Sequence, residues 1–313
     1  MSVKHSGLKT FLCIVAVTAF FLVGCSPKAV RTDRPQAVES AVAYEAQGVE
    51  AYGKGDADGA LRSFIEALRL NRSIDNRRGE AADLINISRA ELALGMTLEA
   101  KGHAEEAISA ANDAGDGKNM SEAYSTLSMA KYALKDYDGA LKGIEDSLAI
   151  DGHVGYKSGS KLNLKGLILM ESGRIGAEDA FKDALEANRR ANDKTEEANS
   201  LRALGEIYAT GKPEEALESF KGAYEIDAAA GDPGKIALDL ESMAVLHRQA
   251  GRTDEALKIF ERAYKVSLNS GLYEDALESI DAMIGIYEGL NERETAERYM
   301  RIRDGVKKQD EGR

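Results

Sequence analysis

The chain has 313 residues, 30% of them charged, with a formal net charge of −12 and a sequence pI near 5.0. So acidic a surface repels phosphate backbones, which excludes nucleic acid and favours basic partners. Its two cysteines, Cys13 and Cys25, both lie close to the start, so the body has no disulfide, no thiolate metal site and no cysteine nucleophile.

The chain opens with Lys4 and Lys9, then an apolar run from Phe11 to Val23. That run is too short for a spanning helix, which needs about 20 residues, but it suits a signal-peptide core. It ends in Leu22-Val23-Gly24-Cys25, which resembles the lipobox of bacterial lipoproteins, with the cysteine acylated after cleavage. The resemblance implies a lipid on Cys25, and Ser26 after it, in place of Asp, implies the outer membrane of a Gram-negative cell. An ordinary signal peptide with a chance cysteine is the alternative. Residues 1–24 are thus expected to be removed, and 25–36, with Pro27 and Pro35, to form the lipidated cysteine and a tether. A solenoid is expected over 37–303, followed by a charged tail over 304–313.

From Ala60 onward one residue keeps time: Ala60, Ala100, Ala140, Ala177, Ala216, Ala256 and Ala296, at intervals near 40 residues. Four residues after each stands Phe64, Ala104, Ile144, Phe181, Phe220, Phe260 or Met300. A fixed period of this length signals a stacked array of supersecondary units. In the third unit Tyr124, Leu127, Ser128 and Lys131 follow the i, i+3, i+4, i+7 stripe of an amphipathic helix, and a second helix carries Ala140, Ile144 and Leu148. The first helices of successive units place Gly48, Ser88, Ser128, Gly166, Gly205, Ala244 and Ile284 at one position, small in all but the last. A small residue there lets two antiparallel helices approach, with the timing alanine expected opposite.

This pattern resembles the tetratricopeptide repeat, best in Leu201-x2-Leu204-Gly205-x2-Tyr208 with Ala216, Phe220 and Ala223. The resemblance implies an all-α superhelical solenoid of about seven helix-turn-helix repeats. The period near 40 rather than 34 is expected to lengthen a helix by roughly 8 Å at 1.5 Å per residue. The one short step, from Ala140 to Ala177, is where curvature is expected to change. Arg298, Arg301, Arg303, Lys307 and Lys308 suit a solvent-facing cap on the last helix.

In tetratricopeptide folds the first helices line the concave face. Counted from the small residue, positions −3, +1 and +4 are expected to point into it. This gives a groove with Tyr52, Leu92, Met129, Tyr132, Leu167 and Met170 in the first four units and mostly charge in the last three. Shifted by one residue, Tyr52, Leu92, Tyr132 and Met170 become helix-packing residues instead. Asn86 and Asn163 lie beside the groove, where an amide either clamps a bound peptide backbone or faces solvent.

No HExxH, GxSxG or GxxxxGK[ST] motif occurs, and His103, His153 and His247 sit in separate units. The expected protein is therefore no enzyme and needs no cofactor or metal beyond the covalent lipid. It is a lipid-anchored outer-membrane scaffold facing the periplasm, holding a basic or amphipathic segment of another protein. The alternative is a cell-wall enzyme or a small-ligand carrier of the envelope.

Overall fold

The computed structural model describes residues 36–153 and 155–311. Cys25, the apolar run and residues 26–35 of the expected tether lie outside the described residues, and Gln36 already belongs to the first helix. Within them are fourteen helices and no strand. Units 1 to 3 pair α1 (Gln36–Gly53) with α2 (Ala57–Ser73), α3 (Arg77–Ala93) with α4 (Thr97–Asp113), and α5 (Gly117–Ala133) with α6 (Tyr137–His153). Units 4 and 5 pair α7 (Gly159–Glu171) with α8 (Ala177–Ala191) and α9 (Lys194–Tyr208) with α10 (Pro213–Ala230). Units 6 and 7 pair α11 (Pro233–Gln249) with α12 (Thr253–Asn269) and α13 (Tyr273–Gly289) with α14 (Arg293–Glu311).

The period has a local cause. Gly55, Asp75, Gly95, Gly115, Lys135 and Gly155 all take left-handed φ, one every 20 residues. Each ends a helix, as a left-handed residue past the last turn does. Side chains then restart the next helix: Asp56, Asp136 and Asp232 accept from Gly59, Gly139 and Lys235 amides at 2.8, 3.0 and 3.2 Å. Pro213 and Pro233 occupy first-turn positions that need no amide hydrogen. Helices α3 to α6 are all 17 residues long, so the residues beyond a 34-residue period are shared by both helices of a unit. The short step falls mainly on α7, at 13 residues. At the other end α14 runs on to Glu311 with Val306 buried, through the segment expected to be a tail.

All seven timing alanines are buried. Their partners sort by chemistry. A Cβ on Gly48, Gly166 or Gly205 would stand 2.5, 2.6 or 2.9 Å from the ring of Phe64, Phe181 or Phe220, so the ring, not the alanine, fills the gap. In units 2 and 3, where Ala104 and Ile144 replace the ring, Ser88 and Ser128 donate to the carbonyls of Ala100 and Ala140 at 2.6 and 2.7 Å.

Junctions between units carry a second register. Position −3 of a first helix meets the end of its own second helix and position −5 of the next first helix. Asn71 donates to Glu45 at 3.1 Å and to Asp83 at 2.6 Å. At the third junction the partner shifts one turn, from −3 to −7: Lys161, at −5 of α7, donates to Asp151 at 2.9 Å and to Ser121 at 2.7 Å. Ser200 donates to Asn163 at 2.7 Å and accepts from Asn188 at 3.0 Å. Arg202 binds Asp239 through Nε at 2.7 Å and also Asp227. One junction is wholly apolar: Ile85, Ala111 and Ala123 share a cluster. Burial raises the carboxyl pKa of Asp239 despite Arg202, and pushes Asp83 up to about 8, with nearby Glu45 adding to the shift.

First helices of neighbouring units also approach one another directly, α3 with α5, α5 with α7, α7 with α9 and α11 with α13, whereas second helices do not to the same degree. The first helices therefore form the inner side of the stack. The outer face of α1 carries Gln47 and Glu50, both exposed, where later units bury residues such as Leu127 and Ala130.

Candidate binding groove on the inner face

Because positions −3 are consumed at the junctions, the free stripe of each first helix is turned from the expected one. It comprises positions −6, −2, +1 and +5, centred about 60° away at 100° per residue. The exposed large apolar side chains Val42, Val49, Met129 and Leu238 fall on it. Over all seven units the stripe carries charge only at Arg89, Glu122, Glu171, Glu206 and Glu278. On so acidic a chain that is a charge-poor face, the composition found at interface cores.

Over α5, α7 and α9 the stripe hollows into a cavity of about 450 Å³. Met129, Leu164, Leu167 and Ala203 supply its apolar surface, with Phe181 below. It lies over the short unit, next to the shortened α7.

Around the rim, charge is balanced within the protein. Glu122 takes Arg89 at 2.5 Å and Lys161 at 3.0 Å, which holds its carboxyl below the ordinary value despite burial. Arg202 is held by Asp227 and Asp239 and donates to Asn199 at 3.2 Å. Glu196 accepts from Asn163 at 2.8 Å and from Asn199 at 3.4 Å. Glu206 is the exception. Its side chain is solvent-exposed. Among the described residues no hydrogen bond or ion pair reaches its carboxylate, and partial desolvation raises its pKa, with Arg202 opposing the shift and Glu171 adding to it.

The expected groove residues fall in three groups. Met129 (40% exposed) and Leu167 (half-buried) line the cavity. Tyr132 and Met170 are half-buried against core clusters, Tyr132 with its ring 6.0 Å from that of Tyr137. Leu92 and Asn86 are half-buried on α3, and Tyr52 is exposed on the last turn of α1, all away from the cavity. Asn163 borders the cavity but is buried, and both its amide hydrogens go to Glu196, at 2.8 Å to the carboxylate and 3.1 Å to the backbone, so none is left for a bound peptide. Sequence reasoning passed over Leu164, Ala203 and the separate standing of Glu206. The stripe with fewest charges was the available signal.

The cavity lining contains no histidine. Among the described residues no three His, Asp or Glu are grouped to hold a metal ion, and no helix is long and apolar enough to cross a membrane.

Residues 158–229 and 208–269 match the tetratricopeptide repeat family, so this part of the chain carries tetratricopeptide repeats. No curated protein matches it in sequence. Among solved structures it is similar to BtubC from P. vanneervenii, with TM-score 0.59 and 20% identity over 73% of this chain and 92% of that one. It is also similar to the Signal Transduction ATPase with Numerous Domains protein with a tetratricopeptide repeat sensor from Pyrococcus horikoshii, with TM-score 0.63 and 18% identity over 86% of this chain and 46% of that one. A third is the Rap conjugation gene regulator of plasmid pLS20 in complex with the Phr* peptide, with TM-score 0.60 and 15% identity over 93% of this chain and 80% of that one. At these identities the likeness is one of fold: an all-helical tetratricopeptide solenoid.

Proposed function

We propose that this protein is a non-catalytic binding scaffold whose inner face captures a segment of another protein, and that a lipid on Cys25 tethers it to the cell envelope. The observation that carries the reading is the 450 Å³ cavity on the inner stripe, with Met129, Leu164, Leu167 and Ala203 ready to take apolar side chains inside a charged rim. A solved relative described as a complex with the Phr* peptide supports it by analogy of fold. The anchor rests on sequence alone: Lys4 and Lys9, the run from Phe11 to Val23, and Leu22-Val23-Gly24-Cys25. Ser26 favours the outer membrane, with the solenoid on the periplasmic side.

The test is site-specific crosslinking in cells that make the full chain. A photo-reactive residue at position 129 should trap a discrete protein from the membrane fraction, and one at position 218 on α10 should not. Equal capture from both positions overturns the scaffold reading. Cys25→Ser should move the chain from membrane to soluble fraction, and membrane retention would overturn the anchor. The cavity's volume also lies within the small-ligand range of roughly 300–1,000 Å³. A crosslink to no protein, together with a small molecule co-purifying with the intact chain and lost on Met129→Asp, would favour a carrier.

A further inference from the structure

The occupant of the cavity can be specified further from the one lining charge that makes no hydrogen bond or ion pair among the described residues. Of the charged side chains that line it, Arg89, Glu122, Lys161, Glu196 and Arg202 each have hydrogen-bond partners within the protein. Glu206 has none among the described residues, and no cation stands within ion-pairing distance of it. Arg202, whose guanidinium is held by Asp227 and Asp239, offsets part of the negative potential at Glu206, and Glu171 adds to it. A bound segment that covered Glu206 with an apolar or amide-acceptor group would strip water from a carboxylate and give nothing back. A segment that delivers an ammonium or guanidinium there exchanges water for a charge-assisted hydrogen bond.

We infer that the inner cavity recognises an apolar side chain followed closely by a lysine or arginine, the apolar group seated on Met129, Leu164 and Leu167 and the cation on Glu206. This deepens the scaffold reading and rests on it. Charge on the whole molecule acts in the same direction: at a net −12 the chain draws a basic segment toward itself before contact. The other acids of the rim cannot take this role without giving up their partners. Glu122 is shared between Arg89 and Lys161, and Glu196 is held by two asparagine amides. Glu206 is therefore the specificity-determining residue, and Met129 is a general affinity residue.

The probes are three fluorescent helical peptides of identical leucine spacing, flanked by lysine, glutamine or glutamate, titrated by anisotropy onto the full chain in detergent at physiological salt. The lysine peptide should bind at least tenfold tighter than the other two. Glu206→Gln should weaken the lysine peptide about tenfold and erase its preference, with no change in melting temperature. Glu218→Gln, on the exposed side of α10, removes one equal charge from the molecule and should leave the preference intact, which separates a local contact from long-range attraction. Met129→Asp should weaken all three peptides. A lysine preference that survives Glu206→Gln, or failure of the lysine peptide to bind best, overturns the inference. If in addition Met129→Asp changes no affinity, the inner-face reading itself falls.

Discussion

The hydroxyl of Ser128 on α5 donates to the backbone carbonyl of Ala140 on α6 at 2.7 Å, in the slot where unit 4 instead presses Phe181 against Gly166. The same crossing of two helices is thus closed in two ways, by a hydrogen bond or by a ring. Each depends on its own pairing of residues at the two positions. In unit 4 a Cβ on Gly166 would lie 2.6 Å from the Phe181 ring, whereas unit 6 buries Ala244 in one cluster with Phe260.

Gly166→Ala should therefore destabilise the protein by about 1–3 kcal/mol through overpacking. Coupling it with Phe181→Ile, in imitation of unit 3, should recover part of the loss. Chemical denaturation of single and double variants measures this. Simple additivity of the two changes would show that the ring and the glycine do not share the slot.

Arg202 is the counter-charge for two buried carboxylates, Asp227 and Asp239. Arg202→Leu leaves them facing each other with no cation and should cost about 3–5 kcal/mol at neutral pH. The loss should shrink in mild acid, since protonation then relieves the pair. A variant whose deficit is the same at pH 5 and pH 8 would show that the arginine acts through packing alone.

Asp83 tests the opposite sign from most acids. Its folded pKa of about 8 stands above the unfolded value near 4. The folded chain holds a proton that the unfolded chain releases across that window. Stability should fall as pH rises from about 4 to about 8 and level off beyond. Asp83→Asn, neutral throughout, should flatten this part of the profile. Melting curves of both proteins from pH 4 to 9 give the comparison, and parallel profiles would reject the assignment.

Lys135 holds a left-handed φ of 60° at a turn where five of its neighbours in the 20-residue series include four glycines. The strain of such a conformation is about 1–2 kcal/mol, and glycine's extra entropy in the unfolded chain offsets part of it. Lys135→Gly should raise stability by about 0.5–1 kcal/mol, read as a small increase in melting temperature. An unchanged or lower midpoint would mean that Lys135 makes a contact worth more than the strain.

The fold was legible because its causes are local and repeated. Alanines every 40 residues, a small residue in six of seven first helices, and Gly or Asp at turns each recur often enough to be counted. The inner face was harder to read. Its phase depends on which side of a first helix the junctions consume, and the junction chemistry changes from unit to unit. Asn163 reads as a free amide in sequence, and only its contacts with Glu196 and Ser200 reveal it as spent. Glu206 is likewise one of many acids until the partners of Glu122 and Glu196, the other acids lining the cavity, are known.

The varied junctions also bear on how a chain of similar units finds its order. Seven helical hairpins with the same outline could in principle stack out of sequence, each offering its neighbour a surface of the same shape. The polar contacts forbid most such exchanges. Asp227 must meet Asp239 in the presence of Arg202, Asn188 must meet Ser200, and Ala111 accepts only an apolar neighbour such as Ala123. If unit 5 skipped to unit 7, its buried arginine and aspartate would face Ser279 instead of a carboxylate. These junctions thus work as addresses that favour the order in which the units follow one another along the chain.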